Sequence, residues 1–326
     1  MKTILTVVVG TFLLLTVAGS AITVDTVPVG DPGNTADTTG HGAVPYSYNI
    51  GTYEVTAGQY CEFLNAVAKT DTHALYNANM WSSTYGCKIE RTGSPDDYRY
   101  SVASDYANRP VNYVSFWDAC RFTNWLHNGG LVGSDTETGA YTMTADGIAN
   151  NTVARNAHWR WAVTSEDEWY KAAYYKTGST DAGYFQYPTA SDNPPSNDLT
   201  DTDPGNNATY AIWTGSQYDY TINTPYWRTQ VGAHQNSASP CGAFDQGGNV
   251  YEWHEAIIVN QDGSYRGIRG GSFYHTGIEL RASSRGYGLP TYDSLDFGFR
   301  VVQLPEPAAL TLLALGTVPL LKRKHP

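Results

Sequence analysis

The chain has 326 residues, and 41% hydrophobic with 13% aromatic content provides core material for one large or two modest domains and excludes a disordered chain. Its 31 acidic against 20 basic side chains give a net charge of −11, which repels phosphate backbones, excludes nucleic acid as a partner and suits divalent cations. Tyrosine is unusually frequent at 25 residues, which fits either loops pinned by phenol hydrogen bonds or a polar binding surface.

Lys2 is the only charge before Asp25. An apolar run over 4–18 follows it and ends in Gly19, Ser20 and Ala21. That order predicts an export signal over 1–21, cleaved after Ala21. Residues 22–45 are rich in Gly, Pro, Thr and Asp and read as a loose leader. The domain is expected to begin at Tyr46, with strand-like residues over 48–55. Thr56 and Gln59 form a capping-box pair. Tyr60, Phe63, Leu64 and Val67 then share one apolar helix face.

Residues 70–108 carry no stable period and read as a long ordered loop. Ser115 is the expected N-cap of a second helix, with Asp118 near its positive end. This helix is expected to run to about His127 and stop at Gly129 and Gly130. Residues 131–157 are a polar insertion. Ser165 and Glu168 make a second capping box, with Trp169, Ala172 and Ala173 as the buried stripe. The charge run Glu166, Asp167 and Glu168 is assigned to helix capping. Residues 178–244 read as loops crossing a scaffold.

Four cysteines are present, Cys61, Cys87, Cys120 and Cys241. In an exported chain an even count predicts disulfides, with three pairings open. Cys61 and Cys120, on two expected helices, are candidates for one bridge. No C-x-x-C occurs. At the other end, Leu304-Pro305-Glu306-Pro307 precedes an apolar run over 308–321 and the basic stop Lys322, Arg323, Lys324. The run is shorter than the roughly 20 residues of a comfortable membrane span, and its cationic end should stay cytoplasmic. Losing both ends removes four of the 20 basic residues and leaves sixteen against 31 acidic ones, a net charge of −15.

The stretch 245–253 reads D-Q-G-G-N-V-Y-E-W. It resembles D-x-x-G-N-V-W-E-W, a signature of the formylglycine-generating-enzyme (sulfatase-modifying factor) family. Four further matches follow the same order over 46–303. They are strand-E-V-T-helix at 48–67, P-V-x-x-V-S-x-x-D-A at 110–119, and an R-x-x-x-T-x-x-x-E-W element at 160–169 with Ala162-Val163 where Leu-Pro is usual. The last is R-G-G-S at 269–272 with G-F-R-V at 298–301. The resemblance implies an α+β, C-type-lectin-like fold with few helices, short twisted antiparallel strands and many loops. The last segment, 304–326, resembles a PEP-CTERM sorting tail, which implies bacterial export, transient membrane anchoring and processing by an exosortase-type enzyme.

The family resemblance also implies two structural calcium sites. The first would use the Asn207 side chain, the Ala208 carbonyl, Asp219 and the Thr221 carbonyl, at a spacing about two residues short of the usual one. The second would use Asp245 and Glu252 side chains with the Gly248 and Val250 carbonyls, Asp245 standing where Asn is usual. Arg269 and Arg300 are expected to pair with core carboxylates.

The family's oxidising members hold copper between two cysteines after R-G-G-S, because soft thiolates suit copper(I). Here no cysteine follows Cys241. His275 stands at the first of those positions, and 277–280 holds no thiol. Ser272 matches the serine beside the reactive pair, so Ser272 and His275 are the catalytic candidates, and copper is not expected. No H-x₃-H-x-E iron cluster occurs among the eight histidines. The leading expectation is an exported, envelope-sorted binding or structural module without cysteine-based oxidation, with a glycan or extracellular-matrix ligand. The alternative is an oxidoreductase of the formylglycine-generating or non-haem-metal type, acting on a sulfur-containing or peptide substrate around His275. A third reading is a matrix component whose acidic face gathers calcium.

Overall fold

The computed structural model of the chain describes residues 22–199 and 205–305. The first half contains β1 (Thr26–Val29), β2 (Tyr48–Gly51), α1 (Ala57–Val67), α2 (Asn79–Ser82), β3 (Ile89–Thr92), β4 (Arg99–Val102), α3 (Phe116–His127) and α4 (Ala145–Ala149). The second contains β5 (Trp161–Val163), α5 (Glu166–Tyr174), β6 (Ala211–Trp213), β7 (Tyr218–Tyr220), β8 (Tyr251–Asn260), β9 (Gly263–Arg269), β10 (Gly286–Gly288), β11 (Phe297–Phe299) and β12 (Val301–Gln303).

The three main helices begin where their caps dictate. Gln59 N donates to Thr56 Oγ1 at 3.2 Å while Thr56 N donates to Gln59 Oε1 at 3.0 Å. Ser115 with Asp118 and Ser165 with Glu168 form the same reciprocal pairs. α3 stops at His127, before the two glycines.

Two four-stranded sheets form the scaffold, ordered β1-β2-β12-β5 and β10-β9-β8-β11, with separate hairpins β3-β4 and β6-β7. Most pairings are antiparallel. β11 is the exception and runs parallel to β8, with Phe297 opposite Tyr251. The core lies between α1, α3 and the sheets. Its rings interlock edge to face: Phe63 with Phe122 at 5.3 Å, Phe122 with Phe299 at 5.3 Å, and Trp253 with Phe297 at 5.1 Å.

Several expectations change. Residues 22–45 are not a loose leader: β1 pairs with β2, and Val29 and Val44 are buried. Buried Asn34 explains the order, since its amide donates to Gly42 O and its oxygen accepts from Val44 N. Side-chain hydrogen bonds of this kind pin turn-rich segments that composition alone reads as loose. The loop over 70–108 holds α2 and the β3-β4 hairpin. All four cysteines are unpaired in the structure, so no Cys61–Cys120 bridge joins α1 to α3. Burial pushes the Cys61 thiol up to about 11. The export signal over 1–21 and the tail after Pro305 lie outside the described residues. No described helix is long and apolar enough to cross a membrane.

Candidate functional site

β9 ends at Arg269 and enters two glycines with positive φ, Gly270 at +95° and Gly271 at +72°. A Cβ on Gly270 would meet Gln246 O at 2.7 Å, so only glycine lets this strand turn there. The turn delivers Ser272 into the interior, where its hydroxyl donates to Asp296 Oδ2 at 2.9 Å. Ser272 Oγ also lies 2.8 Å from His275 Nδ1, and that nitrogen is 3.3 Å from Asp296 Oδ2. Ser294 Oγ donates to Asp296 Oδ1 at 2.7 Å. Burial raises the Asp296 carboxyl, but hydrogen bonds from His275, Ser294 and Ser272 outweigh it and hold the pKa below its ordinary value.

Ser272 and Asp296 both address the same ring nitrogen. A nucleophile triad needs them on opposite nitrogens. With Ser272 donating to the carboxylate, the proton of a neutral His275 belongs on Nδ1. Nε2 is then the basic nitrogen of a side chain that is 40% exposed. The edge of Tyr251 packs against this ring at 4.9 Å.

An aromatic surface adjoins His275. Tyr274 stacks on Tyr220 at 6.2 Å, Tyr220 meets Trp227 at 5.3 Å, and Trp227 meets Tyr85 at 5.0 Å. Tyr85 in turn stacks on Phe273 at 6.0 Å. The β6-β7 hairpin extends the series with Trp213 and Tyr218, 5.0 Å apart. It is tied to the site by Ala211 N, which donates to His275 O at 2.8 Å. Trp213, Tyr218 and Tyr274 are exposed by 53, 47 and 44%. Sequence reasoning missed this surface. Its only signal was the tyrosine count, because the rings come from four separated segments. A surface cavity of about 460 Å³ lies elsewhere, beside His73 and Glu137, and is lined by none of these residues.

The calcium candidates are distributed unevenly. In the first set Asn207 and Ala208 are buried, and Thr221 Oγ1 donates to the Ala208 carbonyl at 3.3 Å. Asn207 Oδ1 is a buried acceptor without a protein partner, a donor type that fits a hard cation. Asp219 does not join them closely: its side chain is exposed on β7.

In the second set the backbone curls through positive φ at Asp245, Gly248 and Asn249. Asp245 Oδ2 accepts from Gly232 N at 2.6 Å. Glu252 is already paired inside the core. Its oxygens accept from Arg300 and from Trp169 Nε1 at 2.7 Å, so the expected ligand is committed to a core ion pair. Among the described residues the buried carboxylate with neither oxygen partnered is Glu54, 1% exposed. Burial and then the Asp245 charge push Glu54 well above the usual carboxylate range. Burial likewise raises Asp245 to about 6. Among the described residues no group of three or more His, Cys, Asp or Glu side chains is arranged around one point.

Arg269 pairs as expected, donating to Glu166 Oε1 at 2.7 Å. Glu166 also takes both donors of the Arg285 fork. Burial raises Glu166, and Arg285, His254, Arg269 and His41 together bring it down to about 2. His254 is buried beside it, and burial lowers its pKa to about 3.

The chain is similar in fold to CarF, with a TM-score of 0.50 and 20% identity over 87% of this chain and 99% of that one. Treponema denticola variable protein 1 is similar at TM-score 0.50 and 20% identity, over 88% and 99% of the two chains. PvdO from Pseudomonas aeruginosa aligns at TM-score 0.44 and 16% identity, over 86% and 92%. No protein of curated function matches the sequence. The family description "Sulfatase-modifying factor enzyme 1-like domain" matches residues 14–304. With most of its length matched and the α+β, loop-rich architecture in place, the chain belongs to the sulfatase-modifying factor enzyme 1-like domain family.

Proposed function

We propose that this chain is an exported, envelope-sorted member of its family that binds a saccharide and does not oxidise a thiol. The observation that carries the reading is the run of rings from Trp213 to Tyr274, which ends at His275 where the copper thiols would stand. Exposed apolar patches rimmed by polar groups are typical of binding sites. Flat rings with hydroxyl tips offer apolar faces to sugar C–H groups and donors to sugar hydroxyls, at little entropy cost. The copper alternative lacks its ligands, since no cysteine follows Cys241.

Calcium is assigned a structural role. Asn207 with the Ala208 carbonyl would hold one ion, and Asp245 with Glu54 would hold another, each supplying hard oxygen donors. Titration of the mature chain with neutral and acidic oligosaccharides tests the reading. Binding is expected, with loss in Tyr274→Ala and Trp213→Ala at unchanged melting temperature. Absence of binding across the whole panel overturns it.

One observation favours a second reading. The exposed His275 imidazole, oriented by Asp296, could hold a redox metal through Nε2 in an oxidoreductase. Stoichiometric copper or iron in purified protein, lost in His275→Ala, would support that alternative. Metal-free protein excludes it.

A further inference from the structure

Arg228 is fully buried, yet its guanidinium is only half used. Nη1 donates to Tyr85 O at 2.6 Å. Nε and Nη2, the side-by-side edge of the fork, have no partner. Elsewhere in the molecule that edge grips carboxylates. Arg121 holds Glu137 with Nε and Nη2 at 2.7 and 3.1 Å, and Arg285 holds Glu166 with the same atoms at 2.7 and 2.6 Å. A fork of this shape matches a planar carboxylate bidentately.

No carboxylate of the described residues pairs with Arg228. Its charged neighbour is Arg109, which donates to the Arg228 carbonyl and lies over the Tyr226 ring at 3.9 Å. The other titratable groups facing it are the Cys87 thiol and the phenols of Tyr106 and Tyr113. Burial lowers the Arg228 pKa to about 10, the cost of a buried charge without a counter-ion. Leaving buried donors unmade is expensive, so native structures rarely do so without a reason.

Three further features converge there. The adjacent Trp227 has a left-handed backbone, φ +61°, and a buried indole N–H with no acceptor. Bulky residues in that region are strained, and such strain gathers at ligand sites. Asn112 shares the Tyr85 carbonyl with Arg228, donating to it at 2.8 Å, and its own Oδ1 is a buried acceptor without a partner. Finally, Trp227 and Tyr85 are members of the aromatic surface, and Arg228 lies over the Phe273 ring at 5.7 Å. The unpaired donors therefore sit at the inner end of the surface assigned to saccharide.

We propose that the Nε and Nη2 edge of Arg228, with Trp227 Nε1 beside it, anchors the carboxylate of an acidic sugar of the uronate class whose ring lies on the aromatic surface. This rests on the saccharide reading and names its ligand class. A chain of net charge −11 repels anions in general, so a dedicated guanidinium is what would admit one. Half-buried Trp227 and Tyr85 are the rings that connect Arg228 with the exposed part of the surface, and they shift when the carboxylate enters.

The test is titration of the full chain, followed by tryptophan fluorescence and calorimetry, with oligogalacturonate, its methyl ester and a sulfated oligosaccharide of equal length. The acid is expected to bind about tenfold or more tightly than the ester, with affinity falling as salt rises. Arg228→Lys should lose that preference and keep ester binding. Trp227→Phe, which retains the ring and removes the N–H, should weaken only the acid, and it carries the test if Arg228→Lys does not fold. Equal binding of acid and ester overturns the Arg228 assignment while sparing the saccharide reading. No binding of any of the three overturns both. Tighter binding of the sulfated sugar overturns the carboxylate class.

Discussion

Arg300 and Glu252 form a fully buried ion pair, with Nη2 2.8 Å from Oε1 and Nε 3.0 Å from Oε2. Arg300 spends its other donors on Gly51 O and Phe244 O, so one guanidinium at the β11–β12 junction joins the end of β2, Phe244 and Glu252 on β8. Breaking a buried pair from one side strands a charge. Glu252→Ala is expected to cost about 3–5 kcal/mol, and Glu252→Gln clearly less, in denaturant unfolding. A loss below about 1 kcal/mol for Glu252→Ala would show that the pair is not formed.

Asp245 has an ordinary pKa of 3.8, raised by burial to about 6 in the fold. Between those values the folded chain holds a proton that the unfolded chain has released. Its contribution is therefore complete below the unfolded value and is lost as pH rises through about 6. Metal-free protein should melt lower at pH 7 than at pH 5 on this account, and Asp245→Asn should flatten the difference. Glu54 is raised in the same direction, so Glu54→Gln should act similarly. If calcium is held there, adding it at pH 7 restores the melting temperature. Identical pH profiles for wild type and both variants would contradict the assignment.

Gly248 has φ +85°, and a Cβ there would stand 2.1 Å from Thr209 O. The clash is with backbone, which cannot swing aside. Gly248→Ala is expected to destabilise by about 3 kcal/mol or more, combining left-handed strain with displacement of the Thr209 backbone that bridges to it. The melting temperature checks this directly.

Ser272 and His275 should respond differently to truncation. Ser272 is buried and donates to Asp296, so Ser272→Ala should cost about 1–2 kcal/mol by leaving a buried acceptor short of one donor. His275 is substantially exposed, so His275→Ala should stay within about 1 kcal/mol. Circular-dichroism melts of the two variants separate a framework serine from a surface histidine.

The helix starts at Thr56, Ser115 and Ser165 were legible in the sequence because a capping box uses residues three apart, within one turn. The Gly270-Gly271 turn and the pairing of Arg269 and Arg300 with core carboxylates were legible for related reasons: local backbone freedom, and the cost of a buried unpaired cation. The family followed from motifs in order. Which carboxylate each arginine takes was not readable. Glu252 is the expected calcium ligand and also the partner of Arg300, 48 residues on, while Glu54, in the segment after β2, is left with free oxygens. The aromatic surface is the same case: Tyr85, Trp213, Trp227 and Tyr274 lie far apart along the chain. Side-chain chemistry within a turn is settled by local spacing, so the sequence by itself determined the caps and turns. Long-range partnership depends on which segments the fold brings within a few ångströms, so only the tertiary structure decided the ring surface and the unmatched edge of Arg228.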